Sequence, residues 1–137
     1  MAVKYITALI ISFVFAYGLT WLTGFSSNLM PAFGAHEWTK SNINISMFFA
    51  NIYAYVIPLA IISLSIGFIL GKVLKTKSTI IALLTAFFPL CFFIFPYTYQ
   101  PLSEFELLHW LIEVPKILTI ILSLIYAFNK FGIDSNT

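Results

Sequence analysis

Apolar residues run along this chain in four long blocks separated by short polar stretches, with little polar alternation inside any block. The first three are Tyr5–Phe25, Ile43–Gly71 and Thr79–Pro96, and the fourth ends near Phe128. A helix rising about 1.5 Å per residue needs about 20 apolar residues to cross a hydrocarbon core. Each block meets or approaches that length. The pattern therefore predicts an all-α, integral membrane four-helix up-down bundle built as one transmembrane domain. Its spans are 5–25, 43–71, 79–96 and 106–128, joined by an outer loop 26–42 and a cytoplasmic loop 72–78, with a C-terminal tail 129–137. The second block is long enough to tilt or protrude, and Pro89 interrupts the short third one. The first exceeds the roughly 7–15 apolar residues of a signal peptide and reads as a retained helix. The two halves do not resemble each other, which gives no support to a duplicated transporter.

The stretch ELLHWLIEVPKI, residues 106–117, departs from this pattern by placing charges where a membrane helix begins. Ser103 and Glu106 have the spacing of a capping box, Leu102 and Leu107 that of a hydrophobic staple, and Pro101 precedes the helix. A helix from Ile117 to Phe128 would reach only about 18 Å of a core near 30 Å. The span must then begin near His109, which puts Glu113 about 6 Å and Lys116 about 10 Å below the outer boundary.

These polar residues fall on a seam. Glu106, His109, Glu113, Lys116, Ile120, Ser123 and Ala127 follow one another by threes and fours, on one side of a helix. Span two offers Asn44, Phe48, Asn51, Tyr55, Pro58, Ile62 and Ser65 at the same spacing. Facing each other, the two seams form a polar cleft in the outer half of the bundle, with Asn51, Tyr55, His109, Glu113 and Lys116 as candidate residues. Pro58 and Pro115 kink their helices there and loosen carbonyls. The structural alternative needs no cleft. Lys116 snorkels to the headgroups, Glu113 pairs with it one turn away, Glu106 caps, and His109 lies at the interface. Small residues recur every fourth position at Ala8, Ser12, Ala16, Thr20 and Gly24, and again at Ser63, Gly67 and Gly71. They read as helix packing inside the bundle, with a dimerisation face as the alternative.

Composition sharpens the class. Of 137 residues, 61% are hydrophobic and 9% charged, and mean hydropathy is +0.98. Globular domains carry about 25% charged residues, so most of this surface has lipid as its solvent. A formal charge of +2 without basic–aromatic clusters gives no nucleic-acid signal. Lys4, Lys72, Lys75, Lys77 and Lys130 fall on one side of a four-pass chain, leaving Lys40 to the other. Cytoplasmic loops are enriched in basic residues, so both termini are expected in the cytoplasm. Trp21, Trp38 and Trp110 then map to the outer interface, with Tyr97 and Tyr99 beside them. Cys91 has no disulfide partner and reads as a small buried hydrophobe. Abundant Lys, Ile, Asn and Phe without a single Arg suit an AT-rich genome and a bacterial inner membrane.

Three function classes remain. The first is proton or cation transport by an oligomer, centred on Glu113, Lys116, His109 and Asn51. The second is a metal site from Glu106 and His109 at i, i+3 spacing with His36 and Glu37, which Glu113 could join, although di-metal bundles require that motif twice. The third needs no reactive residues: an accessory, assembly or immunity-type protein whose faces bind a larger membrane partner, or a further copy of the chain. The long connection Ser26–Asn42 would add a surface to it. No nucleophile–base pair, phosphate loop or cofactor motif is present, so an enzyme is not expected and no cofactor is implied. The third class is the expectation.

Overall fold

The computed structural model describes residues 2–32, 48–94 and 107–132, and the side chains of 2–25, 48–94 and 112–132. Among them there are four helices and no strand: α1 Ala2–Ala32, α2 Phe48–Val73, α3 Thr79–Ile94 and α4 Leu107–Phe131. α1, α2 and α4 each contain a stretch apolar and long enough to cross a membrane, namely Ala2–Phe25, Phe48–Val73 and Ile112–Phe131. At 16 residues α3 is shorter, about 24 Å against a core of about 30 Å.

Several boundaries differ from the sequence pattern. α1 continues to Ala32, through residues 26–32 that the pattern assigned to a loop. The end of an apolar run marks where lipid ends, and Ser26–Met30 contains no proline or glycine to end the helix. α4 likewise continues past Phe128 to Phe131. α3 passes unbroken through Pro89. Beside that proline, Phe88 N–H donates to the buried Ser12 Oγ of α1 at 3.0 Å, so a neighbouring helix supports the weakened turn. Cys91 is exposed, because Ala82, Ala86, Pro89 and Phe93 form the buried face of α3 and position 91 points away from it. Residues 33–47 and 95–106 and the tail from 133 lie outside the described residues. With them lie the expectations placed on His36, Glu37, Trp38, Lys40, Asn44, Tyr97, Tyr99 and the capping box.

Ser65 and Thr85 bond back to their own helix backbone, as suits an apolar solvent, whereas the Ser63 hydroxyl is buried without a partner among the described residues. Ser65 Oγ donates to Ile61 O at 2.8 Å, and Thr85 Oγ1 to Ile81 O at 2.8 Å. The core is aliphatic and aromatic, with Leu19, Leu59, Ile120, Leu124 and Phe128 almost wholly buried. α2 packs most extensively on α4, α1 on α3, and α3 on α4. Small residues make the first of these contacts close. A Cβ added at Gly67 would lie 2.7 Å from Ala127 Cβ, and one at Gly71 would lie 3.3 Å from the Gly132 backbone. On α1, Ala8 and Ser12 are buried while Thr20 and Gly24 face outward, so the small-residue stripe packs only in its first half.

α2 contains a π-helical turn, Ile52–Val56, in which Ile57 N–H reaches Ile52 O. It adds one residue to the helix just before Pro58, a residue with no N–H to give. Beyond it the buried positions are Leu59, Ser63, Gly67, Leu70 and Gly71. The even seam expected at Pro58, Ile62 and Ser65 is displaced by one residue, and Ser65 faces outward. α2 ends with Thr76 N–H on Gly71 O and Lys75 N–H on Lys72 O, both at 3.3 Å, and with Lys75 left-handed at φ 45°. Lys4 Nζ of α1 donates to Lys75 O at 3.1 Å, which joins the start of α1 to the end of α2.

Candidate functional site

Pro115 supplies no N–H for the Leu111 carbonyl four residues before it, which weakens that turn of α4. α2 supports the turn one residue further on. Asn51, 1% exposed and immediately ahead of the π-helical turn, donates from Nδ2 to Ile112 O at 2.9 Å. On the other side of the proline, Thr119 Oγ1 donates to Pro115 O at 2.6 Å. The turn around the proline is therefore held by a side chain from each side.

Lys116 is 6% exposed. Its Nζ donates to Glu113 Oε1 at 2.8 Å, across one turn of α4. The same ammonium lies 4.6 Å from the centroid of the Tyr55 ring on α2 and 5.6 Å from that of Phe93 on α3. Both distances are within cation–π range. Tyr55 OH in turn makes a long 3.5 Å contact to Thr23 O of α1. Three helices thus meet around one ammonium, and α1 joins them through the Tyr55 hydroxyl. The lysine side chain runs back toward the N-terminal end of α4 to its carboxylate and lies beneath aromatic faces. With a carboxylate beside it, the cluster carries no net charge, which is the form in which a buried ion pair is tolerable.

Asn51, Tyr55, Glu113 and Lys116 come together in this structure. His109 lies on α4, but its side chain is outside the described residues. Glu106 is outside them altogether, and among the described residues no three His, Cys, Asp or Glu side chains gather as metal ligands would. Phe93 and Thr23 join the cluster without having been expected. Phe93 had a signal, since it continues the buried Ala82, Ala86, Pro89 face of α3. Thr23 contributes a carbonyl, for which the sequence holds no mark. The Asn51 side chain keeps one unmet need: its Oδ1 is buried and has no hydrogen-bond partner.

A second feature lies on the outside of the bundle. α1 meets α2 through the π-helical turn. Below that turn a groove of about 380 Å³ opens between them, lined by Ile11, Phe15, Gly18 and Leu22 of α1 and by Ile62 and Ile66 of α2. A Cβ added at Gly18 would meet nothing within 4 Å. Compared with known proteins, the chain matches no protein-family model, no curated protein and no solved structure.

Proposed function

We propose that this chain is a small multi-pass membrane protein, not an enzyme, that binds a larger membrane partner in the manner of an accessory, assembly or immunity protein. The groove between α1 and α2 carries the reading. Of the interfaces a closed four-helix bundle would pack, this one is open along its lower part. Its walls are apolar, and Gly18 leaves room for a foreign helix to bring its backbone close, as small residues do in membranes. The polar cluster supports the same view from inside: Glu113 and Lys116 answer each other within α4, and the ammonium joins that helix to Tyr55 of α2 and Phe93 of α3. The arrangement is an up-down bundle in a bacterial inner membrane, with α3 completing a fourth crossing. Both termini lie in the cytoplasm, because Lys4, Lys72, Lys75, Lys77 and Lys130 belong to one end.

Photo-crosslinking tests this. With a photoreactive residue at position 18, in native membranes, the proposal expects one protein adduct of defined mass, suppressed when Ile66→Trp fills the groove. Lipid adducts alone would sink it. A second reading is oligomeric transport of a proton or cation past Asn51, Glu113 and Lys116. The unpartnered Asn51 Oδ1 favours it, since a buried acceptor beside a carboxylate is chemistry a cation can use. Ion flux in proteoliposomes, abolished by Glu113→Gln in a folded protein, is its signature.

A further inference from the structure

α2 and α4 converge at the lysine-bearing end, where a shallow depression of about 520 Å³ lies on the outside of the bundle. Its walls include Ser65, Phe68 and Ile69 of α2 and Tyr126 and Phe131 of α4. The rings are ordered among themselves: Phe68 meets Phe131 edge-on at 5.1 Å, and Tyr126 meets Phe131 at 6.4 Å. An ammonium stands over each side. Lys72 Nζ is 4.4 Å from the Phe68 centroid. Lys130 Nζ is 5.1 Å from that of Tyr126 and donates to its hydroxyl at 2.6 Å.

Glu113, the one carboxylate among the described residues, is held by Lys116, and neither Lys72 nor Lys130 faces a described acid. We infer that this depression binds the headgroup of an anionic phospholipid. The chemistry fits in three parts. Two ammoniums from different helices offer donors to a phosphodiester. Tyr126, whose oxygen already accepts from Lys130, has its O–H left to donate to the same phosphate. Below them Ile69, Phe68 and Phe131 give the glycerol backbone and upper acyl chain an apolar wall, with the Ser65 hydroxyl about 10 Å further down. A phosphate without acyl chains would leave that wall uncovered, so the ligand is a lipid. Basic pockets between membrane helices are used in this way elsewhere. The inference needs the membrane reading, and it is independent of the partner proposed for the α1–α2 groove.

The test uses the full chain in mild detergent with phosphatidylglycerol or phosphatidylcholine added, and counts retained lipids by native mass spectrometry. Wild type is expected to retain phosphatidylglycerol preferentially. A direct hydrogen bond from an ammonium to the phosphate is worth roughly ten-fold in affinity, so Lys72→Gln with Lys130→Gln should cut retention by roughly 100-fold. Lys4→Gln with Lys75→Gln removes the same charge outside the depression and should leave most of it. Ser65→Trp, which fills the depression without touching a charge, should also abolish the preference, and Lys72→Arg should keep it. Equal losses in the two double variants, or equal retention of the two lipids by wild type, would overturn the assignment.

Discussion

An ammonium that is 6% exposed inside an apolar bundle is stable only with its counter-charge. Lys116 has that in Glu113 at 2.8 Å, and the rings of Tyr55 and Phe93 stand in for part of the lost hydration. Removing one member of such a pair strands the other. Lys116→Met or Glu113→Gln alone should therefore cost roughly 3 kcal/mol, measured as loss of stability in a detergent denaturation series. The double variant Glu113→Leu/Lys116→Met should recover most of that loss, because a matched apolar pair leaves no charge behind. Additive losses in the double variant would show that the two residues do not act as a pair. Lys75 gives a second residue-scale expectation of opposite sign. Its φ of 45° is a region glycine adopts freely. Lys75→Gly should raise stability by about 1 kcal/mol, since Lys4 bonds to the Lys75 carbonyl and not to its side chain. An unchanged or lowered melting temperature would contradict this.

Elements show where sequence pattern works and where it does not. On α4 the three-four spacing finds buried residues at Lys116, Ile120 and Ala127, while Glu113 and Ser123 on the same seam are half-buried. On α2 the same spacing holds at Asn51 and is lost after it, because an extra residue in a π-helical turn has no signature in hydropathy. That one residue turns Ser63, Gly67 and Gly71 toward α4 and Ser65 outward. Deleting Ile52 from the turn should give a plain α-helix with both faces still in place, and the protein should elute and melt like wild type. Deleting Ile61, in the regular part, should rotate the glycine face off α4 and leave little folded protein. Comparable behaviour of the two deletions would contradict the register account. The close contact itself predicts that Gly67→Ala costs about 1–3 kcal/mol, as overpacking does, because the opposing Ala127 Cβ cannot move away along a flexible chain.

For the whole molecule, class and helix count could be read directly from the apolar blocks, since lipid as solvent imposes length and composition on each span. Helix ends could not, because backbone hydrogen bonding continues after hydrophobicity stops, as at Ser26–Ala32. Asn51, Tyr55, Glu113 and Lys116 were visible as candidates because polar residues in such a chain are few. Which ring from α3 would cover the lysine depended on packing that no spacing encodes. The groove between α1 and α2 was equally hidden: it follows from those helices diverging below the π-helical turn, a tertiary fact.

On the proposed function, that groove binds the partner and the internal charges hold the helices together. The most direct test carries the photoreactive residue at position 18 into a chain that also bears Glu113→Leu/Lys116→Met. The same protein adduct, formed as efficiently as without the two substitutions, is the predicted result. A folded double variant that forms no adduct, beside a parent chain that conducts cations, would contradict it.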